Sequence, residues 1–185
     1  MINIERNTPV SLTKAEVGLA EYIGNSRQSA NRSRNIRSLK VSDKMSDLDI
    51  DILGAKAELA FFKACNLYPY NLFDTDKSMS KKNKTDIGDI VIDGKVIDIK
   101  TTKYVTGKLI TKSKNDADVI DIFCLITQDD ENMFIIRGFM PSFELVTDER
   151  LGHLGRHINR PCYIAEQKDL CSLSDCFKKM LDKAS

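Results

Sequence analysis

The chain has 185 residues, and 28 Lys plus Arg against 27 Asp plus Glu leave a net charge of +1. That length suits one domain, and the near-neutral balance excludes binding of nucleic acid through bulk basicity, so any such site must come from local patterning. Hydrophobic content of 42% beside 30% charged residues excludes wholesale disorder, and the longest uncharged stretch, residues 64–73, falls well short of the about 20 residues a membrane helix needs. The opening Met1-Ile-Asn-Ile-Glu-Arg lacks the layout of a signal peptide. Five cysteines, an odd number, fit a reducing, cytoplasmic setting better than a disulfide framework, and Cys65 and Cys124 sit among apolar neighbours as small core residues.

In chain order, Thr13-x-x-Glu16 is a capping-box pattern that predicts a helix through Ala15, Val17, Leu19, Ala20 and Ile23. Residues 22–42 carry no acid but hold Arg27, Arg32, Arg34, Arg37 and Lys40. This reads either as a solvated arm or as a set of phosphate contacts, since Arg forks match phosphate oxygens. The Ala-, Leu- and Lys-rich run from Ile52 to Cys65 predicts a second helix. Asn66 to Phe73, with Pro69, is a break, and Asp74 to Asp86, with Lys77, Lys81, Lys82 and Lys84, is a loop. Strands are predicted at Lys108–Thr111, Ala117–Thr127 and Met133–Met140, the last two joined as a hairpin through Gln128–Asn132. A short helical turn starts at Pro141, a final strand covers Cys162 to Ala165, and Leu170, Leu173, Phe177, Met180 and Leu181 space out an amphipathic helix.

The chemistry concentrates in residues 88–100. Asp93-Gly94 between two β-branched runs is a hairpin turn. As a two-residue loop it pairs Ile92 with Lys95, Val91 with Val96 and Ile90 with Ile97, and it sets Asp89 opposite Asp98. Side chains alternate along a strand, so Asp89, Val91, Val96, Asp98 and Lys100 share one face, and Ile90, Ile92, Ile97 and Ile99 share a wholly apolar one. Opposed carboxylates repel; if half-buried, one must protonate or a cation must sit between them. Oxygen donors without nearby His or Cys favour a hard ion such as Mg²⁺ or Mn²⁺. Taken alone, the same face is also a plain solvated hairpin surface. Glu58 bears on the choice, because its helical neighbours Gly54, Ala55, Phe61 and Phe62 are small or apolar. A carboxylate there needs a partner, either Lys63 or a loop lysine at the helix rim, or the cation that the two aspartates address.

A helix bearing Glu58, a strand beginning at Asp89, and a paired strand ending in Asp98-Ile99-Lys100 resemble the PD-(D/E)XK nuclease superfamily with its restriction-endonuclease-like fold. Val96-Ile-Asp-Ile-Lys-Thr-Thr looks like its core strand, and Gly54-Ala-Lys-Ala-Glu-Leu-Ala-Phe like the helix of small phage and bacterial members. Gly88 stands where the family name has Pro, and Gln128–Asn132 is too short for the helix usual between the later strands. The resemblance covers about residues 52–145. It implies an α/β fold with a mixed central sheet flanked by helices. The whole chain would be a single nuclease domain: a helical, basic extension (1–45), a nuclease core (52–145), and a C-terminal strand and helix (146–185).

The resemblance further implies that Asp89, Asp98, the Ile99 carbonyl and Glu58 hold Mg²⁺ or Mn²⁺ and that Lys100 assists the attacking water. Arg27, Arg32, Arg34, Arg37, Lys81, Lys82, Lys84 and Lys103 would contact the DNA backbone. The expected activity is hydrolysis of DNA phosphodiester bonds, double-stranded or branched, as an endonuclease rather than an exonuclease. It would act without a membrane partner, in the cytoplasm or the host cytoplasm of a phage, with a homodimer allowed for. A non-catalytic nucleic-acid-binding or regulatory protein on the same fold and an RNA-directed nuclease are the alternatives. His153-x3-His157 with Cys162, Cys171 and Cys176 lacks the C-x2-C spacing of a zinc site.

Overall fold

The computed structural model describes residues 2–33, 45–67, 88–111, 119–153 and 161–184. The first helix, α1 (Lys14–Ser33), opens on the expected capping box. The Thr13 amide donates to Glu16 Oε2 at 2.6 Å, and the Glu16 amide donates to Thr13 Oγ1 at 3.3 Å. The second, α2 (Asp47–Ala64), begins five residues before Ile52. Ser46 and Asp49 form a capping box of their own, which carries the helix back through the acidic segment. It ends where Asn66 takes φ +53° and the Asn66 and Leu67 amides close on the Lys63 and Phe62 carbonyls.

Five strands form the main sheet: β1 (Thr8–Ser11), β2 (Ile90–Ile92), β3 (Lys95–Thr102), β5 (Ile122–Asp130) and β6 (Met133–Pro141), in the order β1-β6-β5-β3-β2. Of its neighbouring pairs, β3 and β5 run parallel and the others antiparallel, so the sheet is mixed. β5 is central and buried on both faces, as its unbroken Ile122-Phe-Cys-Leu-Ile run requires. A second sheet orders β4 (Leu109–Thr111), β8 (Pro161–Ala165) and β7 (Leu151–His153) as β4-β8-β7. The short α3 (Ser142–Leu145) follows β6, and α4 (Leu173–Ala184) closes the chain.

These elements make three layers. On one face of the main sheet, Ile97, Ile99, Cys124, Ile126, Ile136 and Phe139 pack with Ala20 and Ile23 of α1, with Leu59, Phe61 and Phe62 of α2, and with Leu173 and Phe177 of α4. On the other face, Phe123, Leu125 and Met140 pack with Leu109, Leu145, Ala165 and Leu170. The helices therefore cover one side, and the small sheet with α3 covers the other.

Several expectations need correction. Within the expected N-terminal extension (1–45), the described residues join the core: Thr8–Ser11 is an edge strand paired with β6, and α1 packs on α2. The strand expected from Ala117 begins at Ile122, because the Asp121 carboxylate accepts from the Val96 amide (2.9 Å) and Lys95 (3.2 Å) and so ends the connection just before it. His153 lies at the end of β7; His157 lies outside the described residues. By contrast, β5 and β6 form the expected hairpin, with no helix between them.

Candidate active site

The hairpin registers as the Asp-Gly turn dictates, with Ile92 opposite Lys95, Val91 opposite Val96 and Ile90 opposite Ile97. Asp93 and Gly94 take φ +47° and +75°, the paired positive values of a tight hairpin turn. Ile90, Ile92, Ile97 and Ile99 are buried, whereas Val91 is exposed. The regular ladder stops at Ile90. Asp89 does not simply face Asp98: its amide donates to the Ile97 carbonyl (2.9 Å), and its Oδ2 accepts from the Ile99 amide (2.6 Å). The Asp89 carboxylate is thereby held against β3 between the positions of Asp98 and Lys100. Gly88 makes this approach feasible. It takes φ +77°, and a Cβ there would lie 2.5 Å from Val96 Cγ1. A proline, with φ fixed near −65°, has no place at this position.

Asp98 is buried on the face opposite its isoleucine neighbours, with Lys100 Nζ 2.5 Å from its Oδ2. The Lys100 ammonium also lies 5.9 Å from the centre of the Phe123 ring. Glu58 is buried on α2. Among the described residues its partner is not Lys63; the loop lysines lie outside them. Lys63 pairs with Glu16 at 2.8 Å and donates to the Ser11 carbonyl. Both Glu58 oxygens are taken by Arg27, with Nη1–Oε1 at 2.7 Å and Nη2–Oε2 at 2.6 Å, a two-pronged geometry that a planar guanidinium favours.

The electrostatics tie these groups into one neighbourhood. Burial pushes the Asp89 carboxyl well above the usual range, and the Glu58 and Asp98 charges push it further; the Ile99 amide and the Lys100 charge only partly offset this. Burial opposes the Arg27 charge, but the Glu58 hydrogen bonds and charge, with Asp89 and Asp51 adding, outweigh it and hold the guanidinium more firmly protonated than usual. Asp51 is raised by burial, against the pull of Arg27, with Asp47 adding.

Arg27 is thus not placed as a backbone-tracking cation. It follows Ala20, Ile23 and Gly24 on the inward face of α1 and is committed to Glu58 inside the protein. That helical spacing was the signal for it. Asp51, two turns before Glu58 on α2, is the other group that the hairpin pattern does not reveal. Of the remaining expected nucleic-acid contacts, Arg32 is exposed in the last turn of α1, and Lys103 is exposed just past β3, where its charge lowers the Asp49 carboxyl less than the Ser46 hydrogen bonds do. Arg34, Arg37, Lys81, Lys82 and Lys84 lie outside the described residues. Among the described residues no three His, Cys, Asp or Glu side chains gather at the distances that hold a metal ion.

Residues 5–133 match DUF5843, a family of unknown function. The chain belongs to that family. The matched segment runs from just before β1 to the first residue of β6, and so contains Arg27, Glu58, Asp89, Asp98 and Lys100; β7, β8 and α4 lie outside it. No curated protein and no solved structure matches the chain. No helix among the described residues is long and apolar enough to cross a membrane.

Proposed function

We propose that this protein is a metal-dependent nuclease, an endonuclease acting on DNA, built on a restriction-endonuclease-like core. One observation carries the reading. The Asp89 carboxyl is pinned to the Ile99 amide while two further carboxylates, Glu58 and Asp98, oppose its ionisation, and Lys100 stands on Asp98. Keeping Glu58 and Asp98 near enough to oppose the ionisation of a buried Asp89 gains the fold nothing in stability. Binding a cation is a reason to keep them.

The donor set is all carboxylate with a neighbouring carbonyl, which suits Mg²⁺ or Mn²⁺. Asp89, Asp98 and the Ile99 carbonyl would hold the ion, and Glu58 would join them once Arg27 lets go. Such an ion supplies an acidified water and neutralises the charge that develops on phosphorus. The remaining work belongs to the chain. Lys100, held by Asp98, presents an ammonium to the developing phosphate charge. Arg32 and Lys103 offer exposed charges to the backbone, contacts that position a duplex without reading it.

The test is cleavage of linear, nicked, single-stranded and four-way-junction DNA with Mg²⁺ or Mn²⁺. Wild-type protein is expected to cut, and Asp98→Ala is expected to lose cutting while keeping its melting curve. A second reading draws on the Arg27–Glu58 pair, in which a cation of the protein already neutralises a buried acid: the chain binds nucleic acid without cutting it. Failure of every substrate with both metals, together with DNA binding unchanged by Asp98→Ala, would establish that reading instead. Cutting of RNA alone would establish the RNA-directed one.

A further inference from the structure

Outside the candidate active site, the start of α4 carries an unusual pair. Ser172 caps the helix: its Oγ accepts from the Asp175 amide at 3.1 Å and donates to Asp175 Oδ2 at 2.7 Å. The residue before a cap and the fourth residue after it commonly pack together as an apolar staple that fixes the angle at which the chain enters the helix. Here those two positions are Cys171 and Cys176. Their sulfurs stand 3.0 Å apart, about 1 Å more than a disulfide bond. Cys176 is fully buried, whereas Cys171 is only partly so. Cys171 is also held from the other side: its amide and carbonyl exchange 2.9 Å bonds with Phe139 of β6, and its thiol donates to the Phe139 carbonyl at 3.4 Å.

We propose that Cys171 and Cys176 form a redox site in which a hydroperoxide converts the thiol staple into a disulfide, with Cys171 attacking and Cys176 resolving. The asymmetry of the pair assigns the roles. The hydrogen bond with Cys176, assisted against burial by the Lys179 charge, lowers the Cys171 thiol, whereas that same bond together with burial raises the Cys176 thiol. Glu144 and Asp175 act against the Cys171 thiolate, and Glu144 is itself paired with Lys179 at 2.8 Å.

In the first step the Cys171 thiolate attacks one peroxide oxygen. An S–O bond forms, the O–O bond breaks, and the leaving hydroxide takes a proton to become water. In the second, Cys176 gives up its proton and its sulfur attacks Cys171 sulfur. The S–S bond forms, the S–O bond breaks, and a second water leaves. Two thiols are oxidised and one hydrogen peroxide is reduced to two waters. The product fastens the entry of α4 to the bridge with β6. The sulfurs already touch, so little rearrangement precedes bonding.

Both cysteines fall in one tryptic peptide, Asp169 to Lys178, which makes the test direct. Full-length protein is treated with hydrogen peroxide, quenched, alkylated in denaturant and digested. The peptide is expected unalkylated and two hydrogens lighter, and dithiothreitol before alkylation returns it to the doubly alkylated form. In Cys176→Ser, dimedone is expected to trap a sulfenic acid on Cys171; in Cys171→Ser, Cys176 is expected to stay a thiol. A peptide that remains doubly alkylated overturns the proposal. So does one with Cys171 carried to sulfinic or sulfonic acid beside an alkylated Cys176, or a disulfide joining two chains.

Discussion

Asp89 is ionised only against its surroundings, and that has a sign. Its folded carboxyl titrates above the unfolded value because of burial and the Glu58 and Asp98 charges. A carboxyl of this kind weakens the fold once pH rises past its unfolded value of about 3.9, and the full penalty is reached above its folded one. Asp89→Asn keeps an acceptor for the Ile99 amide and removes the charge. In metal-free buffer it is therefore expected to be more stable than wild type at about pH 8, by on the order of 1 kcal/mol, with the gain fading below about pH 4. Urea titrations across pH measure this, and an identical pH dependence in the two proteins would remove the argument.

Arg27 makes the complementary case. Deleting one partner of a buried pair costs about 3–5 kcal/mol. The Arg27 side chain keeps 30% exposure, so solvent screening brings the expected loss for Arg27→Ala down to about 1–3 kcal/mol. The same variant frees Glu58, and calorimetry is expected to find tighter Mg²⁺ binding than in wild type. Weaker binding would mean that Glu58 plays no part in the metal site. Lys100→Ala is expected to abolish cleavage while metal binding survives or tightens, because a nearby positive charge opposes a cation.

Elements show which signals travelled in the sequence and which did not. The β2–β3 hairpin and the start of α1 were legible because both rest on contacts between residues two or three apart, the Asp93-Gly94 turn and the Thr13–Glu16 cap. The β1 strand was not legible. Four residues including Pro9 carry no alternation to speak of, and their pairing lies with Met133 to Ile136, more than a hundred residues on. Glu58 was legible as a carboxylate among apolar neighbours, but its partner was not, since nothing local announces that α1 lies across α2. That crossing depends on Gly24, where a Cβ would come within 2.8 Å of the Ile52 backbone. Two glycines on the same helix therefore give opposite expectations. A Cβ at Gly18 would meet no atom within 4 Å, so Gly18→Ala is expected to stabilise by about 0.5–1 kcal/mol through helix propensity. Gly24→Ala is expected to destabilise by about 1–3 kcal/mol through overpacking. Thermal melts of the pair decide it; matching shifts would mean that α1 does not seat on α2 through this glycine.

At the scale of the molecule, a sheet whose N-terminal strand covers one edge ties distant parts of the chain together. Leu12 and Lys63 add to the strand's own ladder, the first bonding the Asn132 carbonyl and the second the Ser11 carbonyl. Removing residues 1–12 takes away no residue of the candidate site, yet it bares the β6 edge, and a bared edge invites pairing with other chains. The expected outcome is a lower melting temperature and aggregation on size-exclusion chromatography. A monomer with an unchanged melt would show that β1 is dispensable. The layered packing also explains why the sequence shows the strands near 109–111 and 161–165 but not that they pair as a second sheet. Leu109 and Ala165 are buried only because β4 and β8 meet across more than fifty residues of sequence, and short apolar runs say nothing of their partners.

The pairing of Thr8 with Ile136 bears on how the chain is made. On a ribosome the first strand emerges long before its neighbour exists. The two helices that follow it can form and pack locally, but the parallel β3–β5 pair and then the β6 edge arrive only after most of the chain has been synthesised. Contacts so far apart slow folding, because the loop entropy must be spent before any pairing returns it. Closure of the sheet by β1 is therefore a late event, and an unpaired Thr8–Ser11 segment waits exposed while the rest is translated.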